Sequence, residues 1–471
     1  MNDFLLCVSE LLEKISPPEL NEKYTFDTKL KLYALATDNL GVDRRLRKDI
    51  DFLAKRIDIT GKVFVGYEAS GKRATEDVLE DGPWMALLLT LFVQDALCLE
   101  MEKRYEELLK RINVIFKIRT LFFRENSDVT SSISDTLSSL LGKVSNSIPT
   151  RINLDVTDSY QHCERETSLK ELDVTILFYE GPIARAYLET IISLGFKPKK
   201  IINLIAEKDI ATKKPVGRFL PKVIKLDFAS SIQRTKIHYW PRWLRKNHTD
   251  LTESVIKTIS SSLGFKMDTL RGANEMKPLN KYSGSVESVL VDGLDDPRLI
   301  QILSQQSEGS ILYTGGGIVP ESVLSIPKLK FIHIHPGYLP DIKGADCTLW
   351  STLLTGQTSA TCFYMSPGID TGNIIQPCWL PNMSFDNIGN VTDMSVLYRL
   401  TYSYIDPWIR AFVLSKVIYE MSEYITEMPS VQQDPSTGLT FHFMHDKLRE
   451  LVCSKIFNMD VNKPNSEEKI Q

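Results

Sequence analysis

Between Asp173 and Ala206 the chain reads DVTILFYEG, then ARAYLETIISLGF, then KKIINLIA. The first and third runs are short, apolar and rich in β-branched residues, the mark of buried strands. The middle run has helical spacing and stops at Gly195. Strand, helix and strand within some thirty residues make a βαβ unit, and parallel strands need such a crossover because no tight turn can join them. SVLVDG, SILYTGG and KFIHIH supply further strands downstream. The chain is therefore expected to be α/β, with a mostly parallel sheet and helices on both faces.

Length and composition fit a globular enzyme. The 471 residues leave room for two or three domains and a large core. Hydrophobic content of 43% and charged content of 25% are ordinary for folded domains. A net charge of −4 argues against bulk nucleic-acid binding. The seven cysteines (Cys7, Cys98, Cys163, Cys347, Cys362, Cys378, Cys453) are odd in number and hold no CxxC pair. That suits a reducing compartment and supplies no metal framework. MNDFLLCVSELLEK lacks the basic segment of a secretory signal, and the apolar run Trp84 to Val93 is too short to span a bilayer. A cytoplasmic protein without membrane contact is expected.

Three zones follow along the chain. Residues 1 to 150 hold helical periodicity in LLCVSELLEKI, LKLYALATDNL and WMALLLTLFVQDALCLEMEKRYEELLKRINVIFKI, then a Ser-rich linker, SDVTSSISDTLSSLLGKVSNSIPTRINLD. Residues 168 to 385 form the α/β domain. Residues 390 to 471 return to helix, with a turn at DPSTG, a short strand-like piece LTFHFM and a frayed end VNKPNSEEKIQ. No internal repeat is present.

The chemistry concentrates in Phe331 to Ile375, FIHIHPGYLPDIKGADCTLWSTLLTGQTSATCFYMSPGIDTGNII. A β-type run delivers His333 and His335 onto a Pro336–Gly337 turn. A second run, Thr361 to Met365, ends in a turn carrying Asp370 between Gly368 and Gly372. Both groups are expected at C-terminal strand ends sharing one crevice. A His paired with an Asp can move protons near neutral pH. His-x-His at strand spacing puts both rings on one face. Catalysis, a core hydrogen-bonding pair and a metal pair all fit that pattern, with His442 and His445 as further candidate ligands. For Asp370 an ordinary turn role is the alternative.

These residues resemble the formyltransferase family, enzymes that move a formyl group from 10-formyltetrahydrofolate to an amine. The family pattern is Asn-x-His-Pro-x-x-Leu-Pro, a basic-Gly step, and an Asp-x-Gly loop. Here the matching residues are His335, Pro336, Leu339, Pro340, Lys343, Gly344, Asp370 and Gly372. ILYTGGGIVPESVLSIPKLK, Ile311 to Lys330, looks like the strand, folate loop and helix that precede the motif. The resemblance covers roughly Val174 to Pro377, and it implies a Rossmann-like α/β domain flanked by helical N-terminal and C-terminal regions. One departure stands out: His333 occupies the position of the family's catalytic Asn.

The resemblance implies a catalytic set of His333, His335 and Asp370. It puts the folate site at Gly315, Gly316, Gly317, Ile318 and Val319, with Gly368 and Ile369, and the amine substrate near Gly181 and Tyr338. The donor is 10-formyltetrahydrofolate, and the acceptor a small-molecule primary amine such as an amino sugar carried on a nucleotide. No metal, nucleic acid or membrane partner is expected; an oligomer stays open. The alternatives are a binding or regulatory protein whose catalysis was lost at His333, and a hydrolase of formyl-folate.

Two further motifs compete. GYEASGKR, Gly66 to Arg73, matches a phosphate-binding loop up to its lysine, but Arg73 stands where Mg²⁺ would need Ser or Thr. IHYWPRWLRKNH, Ile237 to His248, could hold a phosphorylated acceptor through Arg242, Arg245 and Lys246 with Trp240 or Trp243 stacking. A solvated loop with buried tryptophans explains it equally well.

Overall fold

The computed structural model describes residues 92–93, 95–122, 136–144, 169–210, 212–383, 385, 393–434 and 437–457. The GYEASGKR motif, the first two helical segments and the lysine-rich end lie outside these residues. The chain divides into two compact units, Met1–Ile152 with His442–Leu448, and Asn153–Phe441 with Arg449–Gln471.

In the first unit, α1 (Tyr105–Phe122) follows the helical periodicity of its sequence. Leu108, Leu109, Ile112, Ile115 and Phe116 fall on one side and are buried. Glu106 and Glu107 in the first turn and Arg119 in the last complement the helix dipole. Asn113 donates to the Phe443 carbonyl and accepts from the His445 amide, and the His445 ring stacks on Phe116 at 5.3 Å.

The second unit is built on a seven-stranded sheet. Its first elements are β1 (Lys170–Tyr179), α2 (Pro182–Ser193) and β2 (Phe196–Ala206), the βαβ unit legible in the sequence. Gly195 has φ +85°, a left-handed conformation that a side chain would resist and that ends the helix. Helices α3 (Lys222–Ile237), α4 (Tyr239–Asn247) and α5 (Thr249–Leu263) and a short helical turn, Met267–Gly272, follow before β3 (Val286–Val291). IHYWPRWLRKNH thus forms a helix where a loop was one expectation: it lays Pro241 and Leu244 inside and leaves Arg242, Arg245 and Lys246 exposed.

Next come α6 (Pro297–Ser304), β4 (Gly309–Tyr313) and β5 (Leu329–His335). The first five strands lie in the order β3-β2-β1-β4-β5 and are all parallel. β7 (Ser359–Tyr364) runs antiparallel to β5, and β8 (Ile374–Trp379) antiparallel to β7. The chain builds outward from β1 through β2 to β3, then returns to the other side of β1 with β4. The strand order therefore switches between β1 and β4, where α/β sheets open a ligand crevice.

One sheet face is sealed by Leu177, Ile202, Leu204, Val289, Ile311 and Phe331 against Leu299, Leu303, Val319 and Val323. α7 (Cys347–Thr355) follows β6 (Ile342–Gly344), which pairs in parallel with β9 (Leu439–Phe441), the piece that reads as strand-like in LTFHFM. α8 (Met394–Leu400) leads through a π-helical turn, Thr401–Ile405, into α9 (Asp406–Met421). α9 packs against α2, β5 and β7 and buries Trp408, Ile409, Phe412, Val413 and Val417. Each such side chain contributes roughly 1.5–3 kcal/mol.

Candidate active site

The β5 sequence LKFIHIH alternates so that His333 and His335 share a face at the C-terminal end of the strand. His335 is buried and His333 only partly so. Beyond His335 the HPGYLP loop is held by one hydroxyl: Thr361 Oγ1 donates to the Gly337 carbonyl at 2.8 Å and accepts from the Leu339 amide at 3.0 Å. Gly337 is required there, because an added Cβ would stand 2.6 Å from His335 Nε2.

Both ring nitrogens of His335 meet acceptors. Nε2 lies 2.9 Å from the Ile342 carbonyl and Nδ1 lies 3.4 Å from Asp370 Oδ2. A carbonyl can only accept, so Nε2 carries a hydrogen, and the neutral ring would then turn a lone pair toward a carboxylate. The carboxylate therefore favours a second hydrogen, on Nδ1. Burial pulls the His335 pKa below its ordinary value; Asp370 opposes this and Arg410 adds to it.

Asp370 arrives by a route that differs from the expectation. β7 is antiparallel to β5, so its C-terminal end lies toward Ile332, away from His335. The two side chains do not sit on neighbouring C-terminal strand ends. Instead the 366–373 loop folds back until Asp370 Oδ2 accepts from the Gly344 amide at 2.8 Å. Asp370 itself has φ +54°. Gln433 anchors the loop by donating to the carbonyls of Asp370 and Gly372. Gly372 packs directly on β7: a Cβ there would stand 1.5 Å from the Tyr364 carbonyl oxygen.

His333 has different surroundings. Its Nδ1 lies 3.2 Å from the Tyr313 carbonyl, so this nitrogen carries the hydrogen and Nε2 holds a lone pair. Burial lowers its pKa to about 4, and Arg410 acts in the same direction. The ring is neutral at physiological pH and presents an acceptor. It does not present the N–H that would mimic an Asn amide.

Behind the pair lies Arg410 on α9. It donates from Nη1 to the Ile334 carbonyl at 2.9 Å and from Nε to Asp406 Oδ2 at 2.9 Å. Asp406 in turn accepts from Thr348 Oγ1 on α7 at 2.7 Å.

Beside β5, on the side of the switch point, β4 ends in the glycine loop. Tyr313 OH donates to the Gly316 carbonyl at 2.9 Å and fills the space a Cβ of Gly315 would need. Gly316 and Gly317 are exposed, with open space where side chains would stand, and Gly317 has φ +86°. Ile318 points outward, whereas Val319 is committed to the core. Gly368 and Ile369 lie on the Asp370 loop, Gly368 exposed and Ile369 partly so. At the end of β1, Gly181 caps α2 beside Glu180. Burial opposes ionisation of Glu180, but Arg185 and His238 hold its pKa down to about 2. The Tyr338 ring stacks on Trp379 at 4.6 Å. Lys343, the basic residue of the motif, donates to the Thr437 carbonyl.

Parts of the chain are similar to known proteins. Methionyl-tRNA formyltransferase of Syntrophus aciditrophicus is 36% identical over 104 residues, 21% of this chain and 33% of that protein. This stretch of the chain is similar to part of a formyltransferase. The Bacteroides fragilis methionyl-tRNA formyltransferase is 27% identical over 153 residues, 31% of this chain and 47% of that protein. The chain thus spans between a third and a half of the length of these curated formyltransferases. Among solved structures, a sugar N-formyltransferase from a Shewanella species aligns at 10% identity and TM-score 0.31, over 60% of this chain and 87% of that one. An N-formyltransferase from Helicobacter canadensis, bound to folinic acid and dTDP-3-aminofucose, aligns at 14% identity and TM-score 0.30, over 62% and 81%. No family model matches the chain.

Of the residues the formyltransferase resemblance marks, the structure brings His335 and Asp370 together, seats His333 beside them on the same strand face, and sets the Gly315–Gly317 loop at the neighbouring strand end. Among the described residues no group of three His, Cys, Asp or Glu could hold a metal ion. His442 and His445 belong to the other unit. Nor is any described helix long and apolar enough to cross a membrane. Sequence reading missed Arg410, Asp406, Thr361 and Gln433. The first two sit in a helix whose periodicity marks them only as polar interruptions of an apolar face.

Proposed function

We propose that this chain transfers a formyl group from 10-formyltetrahydrofolate to a primary amine of a small molecule, such as an amino sugar carried on a nucleotide. The observation that carries this reading is the buried His335–Asp370 pair, beside the His333 acceptor and a glycine loop with open backbone. The Gly316–Gly317 backbone suits a flat pterin, because nothing stands where its side chains would project. Gly315, Ile318, Val319, Gly368 and Ile369 complete that side by their backbone, and the amine enters from Gly181 and Tyr338.

In the reaction, the amine nitrogen attacks the formyl carbon, a C–N bond forms, and the carbonyl oxygen takes the electron pair. The amine loses a proton, and the Nε2 lone pair of His333 is placed to take it. Collapse of the tetrahedral intermediate returns the electron pair and breaks the bond to N10 of tetrahydrofolate, which takes up a proton. Asp370 and the Ile342 carbonyl hold the His335 ring in place behind the site while this happens. The role of His333 departs from that of an Asn: it serves as base and leaves the oxyanion to other donors.

The test is formation of the formamide product, followed by mass spectrometry, from 10-formyltetrahydrofolate and a panel of nucleotide-linked amino sugars. The wild-type chain should formylate at least one acceptor, and His335→Ala and Asp370→Asn should not. Turnover retained in either variant removes the mechanism.

A further inference from the structure

We infer that Arg410 is a positioning residue for the histidine pair: its guanidinium, clamped by Asp406, holds the strand end between His333 and His335 and keeps a positive charge behind both rings. The consequence for turnover rests on the transfer reading above; the inference itself does not.

Arg410 and Asp406 are an i, i+4 ion pair, an arrangement usually found on exposed helix faces. Here both are inside the protein, with side-chain exposures of 12% and 1%. Burying a charged pair costs several kcal/mol of desolvation, and apolar residues of similar volume often serve stability as well or better. Arg410 spends Nη1 on the carbonyl of Ile334, the peptide between the two histidines, and Asp406 is tied by Thr348 to the helix that follows the Gly344 step. One guanidinium therefore links α9, β5 and α7 at the point where the imidazoles emerge.

The groups facing Arg410 come from every neighbouring element. They are Asp406 on its own helix, Tyr187 on α2, Tyr402 on the π-helical turn, Cys347 on α7, and His333 and His335 on β5, with Asp370 on the folded-back loop acting on the same two imidazoles. Among these, Asp370 favours protonated imidazoles and Arg410 disfavours them. Burial is the largest cause of the neutral His333 ring, and the Arg410 charge reinforces it against the opposing pull of Asp370. Arg410 thereby helps keep the proton off Nε2, the atom that has to receive one from the amine.

The test is a ¹⁵N-histidine NMR titration of the full chain, with rings assigned through His333→Asn and His335→Asn. In the wild type, the His333 ring should remain neutral, protonated on Nδ1, through the mildly acidic range. Arg410→Gln should move its titration upward by about 1 pH unit, the usual effect of losing one nearby charge. Arg410→Lys, which keeps the charge, should restore the wild-type curve. Should the single Gln variant fail to fold, Arg410→Gln with Asp406→Asn leaves neither charge buried and carries the same expectation. An unchanged His333 titration in the Gln variants overturns the inference. A shifted titration without any formyl transfer in the wild type would sustain it and defeat the functional reading instead. If both hold, the acid limb of the pH–rate profile moves with the ring.

Discussion

His335 Nδ1 and Asp370 Oδ2 face each other at 3.4 Å inside the protein, with the opposite ring nitrogen already committed to the Ile342 carbonyl. Two acceptors orient the imidazole, and the carboxylate favours its protonated form against the larger opposing effect of burial. Asp370→Asn keeps the shape and an oxygen for the Gly344 amide, but removes the carboxylate charge. Turnover should fall by roughly 100- to 10,000-fold, the range associated with losing a proton-transfer group. His335→Ala should do the same. Circular dichroism and urea midpoints should show both variants folded, so that the loss is read as chemistry.

His333 predicts a different pattern. An Asn at this position can donate to the Tyr313 carbonyl as the imidazole does, but it has no basic lone pair to offer. His333→Asn should therefore lower kcat by roughly 10- to 100-fold, the lower part of the range for a general base. It should also remove the acid limb of the pH–rate profile. Wild-type turnover with an unchanged profile would show that the ring merely fills the place of an amide.

The folded-back loop makes a stability prediction. A methyl at Gly372 collides with the Tyr364 carbonyl oxygen at 1.5 Å, and one at Gly344 with the Phe441 carbonyl oxygen at 2.0 Å. Gly344 also has φ +103°, so its substitution is strained as well as crowded. Each Gly→Ala change should cost at least about 3 kcal/mol, in the range of severe backbone and overpacking defects. Urea unfolding midpoints at constant slope measure it.

Stability should also depend on pH through the histidines. In the folded chain His333 titrates near 4, against an ordinary value of 6.5. Above 6.5 neither folded nor unfolded chain binds the proton. Between 6.5 and 4 the unfolded chain binds it and the folded chain does not, so stability falls across that window as pH drops. His335 is displaced in the same direction. The loss of Tm between pH 7 and pH 4.5 should be smaller in His333→Asn than in the wild type.

Much of this was legible in the sequence, for identifiable reasons. β1, α2 and β2 were clear because parallel strands are apolar throughout and Gly195 punctuates the helix. The His335–Asp370 association followed from a motif whose members lie close in the chain. The direction of β7 was not legible, since an apolar run such as SATCFY reads alike in either orientation. That is why the route of Asp370 was misjudged while its partner was not. The state of His333 depended on the Tyr313 carbonyl at the end of another strand and on Arg410 from a distant helix. Neither contact leaves a local signal. Thr361 was equally hidden, because one hydroxyl inside a strand looks like ordinary β propensity.

The measurement closest to the central claim is a calorimetric titration of the purified chain with a stable 10-formyltetrahydrofolate analogue, such as a 10-formyl-dideaza compound. The account predicts micromolar binding that weakens when Gly317, at φ +86° in the open loop, is changed to Ala. The absence of binding at millimolar ligand would contradict it.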